Sequence, residues 1–358
     1  MKTLLTLPGP QTKLLDTPPP PTPPPAQHVL IKVLVAGSNP KDWKMPEAAA
    51  EGGMGAQMAR MAREGVNHGD DIAGIVEGVG SGVVEFKRGD RVAAFHELFA
   101  PAGGYAEYAL AWSHTTFHLP EGISFEGAEQ QIEAATIPLT ALTASVSLYA
   151  HHQLPFPWVP AQDPIPLVIY GGSTAVGSFA IKLARNSNVH PIVAIAGKGV
   201  AYVSTLLDHS QGDAVVDYRD GPEATVRGVT AALKLAGHKT ARHALDTVAT
   251  RESVEVLKKV VAPDGQMDFT LENGLRVFPA VKTVTHVGSV HRGNAMLGYV
   301  MSRYFTRALQ EKQLVGHPFE VREGGLEGVE QGLKDLKAGR ASAVKYVYRI
   351  GETRGVEL

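Results

Sequence analysis

The stretch Pro166-Leu-Val-Ile-Tyr-Gly-Gly-Ser-Thr-Ala-Val-Gly177 constrains this chain more than any other. An apolar run ends in a turn of small residues, and a helical pattern from Ser178 to Asn186 follows at once. That order is strand–turn–helix, the opening unit of a dinucleotide-binding sheet. The turn needs small residues because its backbone N–H groups must come close to a pyrophosphate. The helix N-terminus behind it adds partial positive charge. In G-x-G-x-x-G register Gly172 and Gly177 match, while Thr174 takes the middle glycine position. The expected cradle is therefore Gly171, Gly172, Ser173, Thr174, Ala175, Val176 and Gly177. An ordinary tight turn between a strand and a helix is the alternative.

Further apolar runs follow at His190–Ala196, Asp213–Tyr218, Arg242–Asp246, Gly265–Thr270 and Lys282–Gly288, with helical patterns such as Glu252–Val261 between several of them. Strands alternating with helices predict an α/β domain built on a doubly wound parallel sheet. The end of the second strand sets the cofactor expected there. An acidic residue at that point accepts hydrogen bonds from a ribose 2′-OH, whereas a cation attracts a 2′-phosphate. Ala196-Gly197-Lys198-Gly199 has no acid and one lysine, and Tyr218 and Arg219 end the third strand. Gly197, Lys198 and Tyr218 are thus expected at the ribose, and NADPH is favoured over NADH. The plain alternative makes Lys198 a solvated loop lysine.

At 358 residues the chain can hold two domains and a large core. A net charge of −2 with 20% charged residues points to no nucleic-acid surface. No apolar run reaches membrane-spanning length, and Met1–Leu7 is cut short by Pro8 before it could serve as a signal peptide, so a cytoplasmic protein with no membrane contact is expected. The cysteine count is zero, which excludes disulfides and every cysteine-ligated zinc site. His151-His152 and His96-Glu97 have no ligand constellation around them and read as surface or packing histidines, so no metal is expected.

About 135 residues precede the nucleotide unit and read differently. His28–Val35, Asp71–Gly80, Gly89–Phe95 and Tyr105–His118 are β-like and glycine-punctuated. The proline run 18–25 fits a stiff extended loop between the first two strands. Segment 45–68 reads either as a lid, with a helix at Ala56–Glu64, or as a disordered surface loop. A helical run at Asn294–Gln313 closes the nucleotide body, expected over 136–313. His317–Val321, a helix near Gly325–Ala338 and a strand Ala343–Ile350 then return to the β-rich body, expected over 1–135 and 314–358.

Together, Ser38-Asn-Pro-Lys-Asp-Trp-Lys44, Gly69-Asp-Asp-Ile-Ala-Gly74, Gly89-Asp-Arg-Val92, Gly103-Gly-Tyr-Ala-Glu-Tyr108, Ala134–Leu139 with Leu142–Ala144, the turn 171–177, Gly325–Val329 and Val344–Tyr348 resemble the medium-chain dehydrogenase/reductase superfamily over nearly the whole length. The Asn-Pro-Lys-Asp-Trp-Lys form is most similar to its zinc-free, quinone-oxidoreductase-like branch, which includes fungal trans-acting enoyl reductases serving polyketide synthases. The resemblance implies that the β-rich body is GroES-like. It adds Thr140 and Lys345 to the expected cofactor contacts. Zinc alcohol dehydrogenases carry Cys at the position of Asn39 and Gly-His-Glu where this chain has Gly69-Asp70-Asp71. Without that Lewis acid the chemistry implied is easier than alcohol oxidation: hydride addition to an activated C=C bond or a quinone.

On this reading the Thr174 hydroxyl bonds the pyrophosphate, and Asn39, Lys41 and Lys44 donate to a developing enolate oxygen. Asp42 orients a neighbour, although Asn39 and Asp42 also fit a plain helix-capping role. The substrate is expected in a cleft between the bodies at the carboxyl ends of the parallel strands. Met54, Met58, Phe95, Phe99, Met296, Met301, Tyr304 and Phe305 would form its walls, or several would simply pack a core. Such walls suit a hydrophobic enone, enoyl or quinone substrate, free or tethered to a carrier protein. The competing class is a protein that binds the cofactor without redox turnover. A short-chain dehydrogenase is disfavoured, because no tyrosine has a lysine four residues on.

Overall fold

The computed structural model describes residues 1–53, 55–121 and 134–357. They form two compact units, Met1–Leu139 with Val290–Leu358, and Thr140–Ser289.

Unit Thr140–Ser289 holds the doubly wound parallel sheet. Its strands lie in the spatial order Ala214–Asp217, Ile192–Ala196, Leu167–Tyr170, Ala241–Asp246, Val261–Phe269, Val281–Val284. The first strand in the chain therefore lies between the second and the fourth, and connections leave it to opposite sides. That is the switch point at which such sheets bind ligands. Every residue of Leu167–Tyr170 and Ile192–Ala196 is buried, as expected for parallel strands covered on both faces. The helix Arg251–Val260 begins with a reciprocal capping box between Thr250 and Ser253 and turns Val254, Val256, Leu257 and Val260 inward. Each such aliphatic side chain contributes about 1.5–3 kcal/mol by leaving water.

The other unit is a seven-stranded, mainly antiparallel sheet with a separate hairpin, Lys2–Leu7 and Gln11–Asp16. Strand His28–Gly37 is its spine. It pairs antiparallel with Asp71–Val79, Tyr108–Trp112 and Lys345–Arg349. Asp71–Val79 in turn pairs with Arg91–Phe95. The proline run follows the hairpin and leads into His28, rather than lying between the first two strands.

Segment 45–68 is neither a loose loop nor a fully exposed helix. Helices Lys41–Ala50 and Ala56–Glu64 account for most of it, with Ala49, Ala59 and Ala62 buried. Val66 exchanges backbone hydrogen bonds with Thr6 of the hairpin at 2.8 and 3.2 Å, which pins the end of the segment. Met54 lies outside the described residues.

Residues 290–313, expected in the nucleotide body, fall in this unit. Helix Ala295–Gln310 is fastened by Arg303, whose guanidinium pairs with Glu85 and donates to Ser113 O and Thr116 O at 3.2 and 2.9 Å. Phe95, Met301 and Phe305 are fully buried, with Phe305 edge-on to Phe117, so they pack a core rather than line a cleft. Met296 is exposed. No helix among the described residues is long and apolar enough to cross a membrane.

The turn after Leu167–Tyr170 depends on close backbone approach. A Cβ on Gly177 would stand 2.2 Å from the Gly171 carbonyl oxygen, and Gly171 itself has φ +84°. Gly177→Ala should cost about 1–3 kcal/mol by forcing the turn apart. Gly293→Ala, where a Cβ meets nothing within 4 Å, should be close to neutral. Urea denaturation of the two variants checks this; equal stabilities would contradict the close-approach argument.

Candidate functional site

The turn 171–177, in unit Thr140–Ser289, is one candidate site. Gly171 and Gly172 N–H both donate to Ile195 O at 2.9 Å, which fastens the turn to the second strand. Thr174 is the N-cap of helix Ala175–Asn186: its hydroxyl accepts from Gly177 N–H at 3.0 Å and donates to Thr247 Oγ1 at 2.9 Å. The expectation that this hydroxyl faces a pyrophosphate is corrected, because it caps the helix. The first-turn N–H groups of Ala175 and Val176 have no intrahelical acceptor and form an anion-receptive end. Tyr218 lies over Gly197 and stacks on Tyr170 at 6.1 Å. Lys198 is exposed and has no hydrogen bond or ion pair among the described residues, so its charge is free for a phosphate. Arg219 is different, since Asp217 holds its guanidinium at 2.5–3.0 Å. Thr140 is buried in the first turn of helix Pro138–Ser145. These residues fit a dinucleotide: a turn that only small residues can build, an open helix end and an exposed lysine, Lys198.

The other unit holds a second candidate site, a buried charge cluster at one end of its antiparallel sheet. Asn39 follows strand His28–Gly37, and Asp71 begins the neighbouring strand. Asn39 Nδ2 donates to Asp71 Oδ2 at 2.7 Å. Lys345 donates to the same Asp71 oxygen and to Asn39 Oδ1, the latter at 3.1 Å. Leu139 N–H donates to Asp71 Oδ1 at 2.7 Å. Lys345 was expected to contact the cofactor. Here its ammonium is buried and neutralises Asp71.

Around Lys41 the pattern repeats. Its ammonium meets Asp42 Oδ1 at 2.7 Å, Asp70 Oδ2, and His68 O at 2.9 Å. Asp42 Oδ2 also accepts from Asn39 N–H at 2.8 Å and from Tyr105 OH at 2.7 Å. Asp42 thus holds both Lys41 and the start of its own helix, so the positioning and capping roles coincide. The Lys41 ammonium thus has one hydrogen bond, to His68 O, and two ion pairs, whereas the Lys44 ammonium has no hydrogen bond or ion pair among the described residues and rests near the Trp43 ring.

The electrostatics follow from burial and these partners. Burial opposes the Lys41 charge, but Asp42 and Asp70 outweigh it and raise the ammonium above its ordinary value. Burial lowers Lys44. Burial raises Asp42 and pushes Asp70 up to about 7, with Lys41 acting against it. His68 is held well below its ordinary range by burial, and His96 is lowered for the same reason. His96 Nδ1 and Nε2 lie against Leu110 O and Ala100 O at 2.6 and 3.1 Å, a packing role.

Sequence reasoning named Asn39, Lys41, Asp42 and Lys44 as candidates and missed Asp70, Asp71 and Tyr105. Two adjacent acids opening an otherwise apolar strand, Gly69-Asp-Asp-Ile-Ala-Gly74, were the available signal. A depression of about 370 Å³ beside His190, Gln211 and His238 lies at the amino ends of the parallel strands, away from the turn.

Burial raises the Asp70 carboxyl to about 7 in the folded chain, whereas an unfolded aspartate releases its proton near the ordinary value of 3.8. A raised carboxyl pKa makes the native state favourable at low pH, and that advantage is lost as pH rises toward about 7. Asp70→Asn removes this dependence. The stability of wild type relative to Asp70→Asn should therefore fall with rising pH, by at most ~1.4 kcal/mol per unit between about pH 4 and 7. Urea midpoints at pH 5, 6, 7 and 8 test it; a difference that does not change with pH would refute the assignment.

Residues 25–121 match the model of the alcohol dehydrogenase GroES-like domain. The chain is 41% identical to the trans-enoyl reductase fsr4 of Gibberella fujikuroi over 334 residues, 92% of each protein. It is 30% identical to the trans-enoyl reductase ACTTS2 of Alternaria alternata, covering 90% of this chain and 92% of that one. The fold matches the crystal structure of the quinone oxidoreductase of Pseudomonas syringae with TM-score 0.71 at 20% identity, covering 97% of this chain and 99% of that one.

Proposed function

The chain belongs to the trans-enoyl reductase family of the medium-chain dehydrogenase/reductase superfamily, and from that premise we propose that it is a zinc-independent, NADPH-dependent enoyl reductase. The reaction is hydride addition to the β-carbon of an α,β-unsaturated carbonyl; a quinone is the other acceptor of the same chemistry. The substrate class is a hydrophobic, secondary-metabolite-like enone or enoyl thioester, free or carrier-bound.

One observation carries the reading of the chemistry. At the positions where zinc relatives hold metal ligands, the polar atoms of Asn39 and Asp71 are bonded to Lys345 and to each other, and Asp70 faces Lys41. A divalent ion there would have to displace two buried ammonium groups. Charge developing on the substrate oxygen is then met by cations of the chain itself. Conjugation helps, since the substrate's own carbonyl spreads the charge.

The turn 171–177 would hold the nicotinamide cofactor, with Lys198 and Tyr218 at its 2′-phosphate, and the group would supply the hydride. Lys44 is the free ammonium of the Asn39–Lys44 segment and is suited to the enolate oxygen. Burial lowers its pKa and so makes it a stronger hydrogen-bond donor than a solvated lysine. Asp42 and Tyr105 hold the helix that carries it.

Lys198→Ala should weaken NADPH binding by about 1.5–3 kcal/mol, the worth of a charge-assisted contact, and leave NADH binding almost unchanged. Fluorescence titration of both nucleotides reads this directly. Wild type that binds NADH as tightly as NADPH would overturn the specificity.

A panel of short and long enones, enoyl thioesters and quinones, assayed in EDTA by NADPH absorbance, tests the reaction. Turnover of the longer acyl substrates, with Lys44→Met slower by about 10²-fold or more, is expected. Activity that EDTA abolishes would remove the zinc-free reading. Turnover of none of them would favour a cofactor-binding protein without redox activity.

A further inference from the structure

Three buried carboxylates, Asp42, Asp70 and Asp71, share two buried or largely buried ammonium groups, Lys41 and Lys345. Fully ionised, the cluster would carry one uncompensated negative charge away from water, which is costly. The partners are unevenly divided. Asp71 has Asn39 Nδ2, Lys345 and Leu139 N–H. Asp42 has Lys41, Asn39 N–H and Tyr105 OH. Asp70 has the Lys41 ammonium alone, as an ion pair at Oδ2, and neither of its carboxylate oxygens has a hydrogen-bond partner among the described residues.

Lys41 and Asp42 come from helix Lys41–Ala50, Asp71 follows in the chain with Lys345 beyond it, and Tyr105 lies behind Asp42. His68 and His96 are both lowered by burial and bring no positive charge. The side chains of Asp42, Asp70, Asp71 and Lys345 are 0–3% exposed, while that of Lys41 is 15% exposed. Lys41 is therefore the member of the cluster that reaches its surface, and Asp70 stands directly behind it.

Resting on the reductase reading above, we propose that Asp70 stores a proton in the resting protein and passes it to Lys41 as Lys41 protonates the α-carbon of the reduced substrate. The Lys41 N–H bond breaks and a C–H bond forms with the enolate electron pair. The Asp70 O–H bond breaks and a new N–H bond forms on Lys41. Asp70 is left as a carboxylate and regains its proton from water.

The arrangement solves a problem that Lys41 alone cannot. Were Asp70 ionised like Asp42, loss of a proton from Lys41 would leave a neutral amine between two anions. With a proton waiting on Asp70, the ammonium is restored as its own proton leaves. The pair then has the acidity of a buried carboxylic acid, near pH 7, rather than of an ammonium. Asp70 acts through Lys41 and is a positioning residue.

Two measurements on the intact protein test this, alongside Asp70→Asn and Asp70→Glu. Infrared difference spectra of wild type minus Asp70→Asn at pH 6 should show a carboxylic-acid C=O stretch that vanishes by pH 9. Its absence at pH 6 overturns the store. In the pH profile of kcat with a reactive enone, wild type should lose activity as pH rises through neutrality. Asp70→Asn should be at least about tenfold slower at pH 6, with no such limb, and Asp70→Glu should restore both. An unchanged limb in Asp70→Asn, at unchanged thermal stability, overturns the hand-over. Wild type that reduces no substrate would defeat the reductase reading and the hand-over with it, while the infrared band would still decide for or against the store.

Discussion

Asp71 takes hydrogen bonds from three places far apart in the chain: Asn39, Leu139 N–H and Lys345. These lie at the end of strand His28–Gly37, at the last residue of its unit before the parallel-sheet body, and in the returning strand Lys345–Arg349. The contact is fully buried, so neither partner can be lost cheaply. Removing one side of a buried pair typically costs about 3–5 kcal/mol, because the other charge is left without water or counter-ion. The sheet therefore has one admissible register at this end. That register, Gly37 opposite Asp71 and Val347 opposite Gly37, also sets where Asn39, Lys41 and Asp70 stand.

From that hub the asymmetry of the cluster follows. Asp70 and Asp71 are adjacent at the start of a strand, and successive side chains of extended chain point to opposite faces. Asp71 is directed to Lys345, Asp70 to Lys41. Lys41 can serve Asp70 only while also serving Asp42, which has two further donors of its own. Asp70 is left with the poorest support among the three carboxylates. Burial then decides its protonation, since an ionised carboxylate with half a counter-ion is the costliest state available to the cluster.

The parallel sheet was legible in the sequence because its signals are local. Apolar runs bounded by glycine, and a turn that tolerates only small residues, need no knowledge of distant contacts. The same holds for helix Ala56–Glu64, readable from its own composition, although its buried Ala59 and Ala62 face was not. The cluster was legible only in part. The Asn39–Lys44 segment stands out as a string of polar residues, but the partners of Lys345 are 274 and 306 positions away. Nothing local distinguishes a lysine that will meet a phosphate from one that will neutralise a buried aspartate. Thr174 shows the same limit. A hydroxyl at that turn fits a phosphate contact and a helix cap equally well on paper, and the position of Thr247 selects the cap. For Phe95, Met301 and Phe305 the sequence leaves wall and core open, because an apolar side chain looks the same in sequence in either place, and burial selects the core.

Helix Lys41–Ala50 places two lysines of opposite character three residues apart, and hence on neighbouring positions of one face. Lys41 is paired with two carboxylates and raised; Lys44 has neither of these partners and is lowered. Reduction of a conjugated carbonyl asks for both kinds of group. The oxygen that gains charge is best met by an ammonium whose hydrogens are not already engaged, because every prior partner would have to be given up first. The carbon that must be protonated needs a group with a proton to lose and a means of avoiding a neutral amine among anions. A single lysine cannot be free of acceptors and backed by a carboxylic acid at the same time. On the proposed reaction, dividing the two tasks between Lys44 and Lys41, with Asp42 fixing the helix that carries both, would remove that conflict.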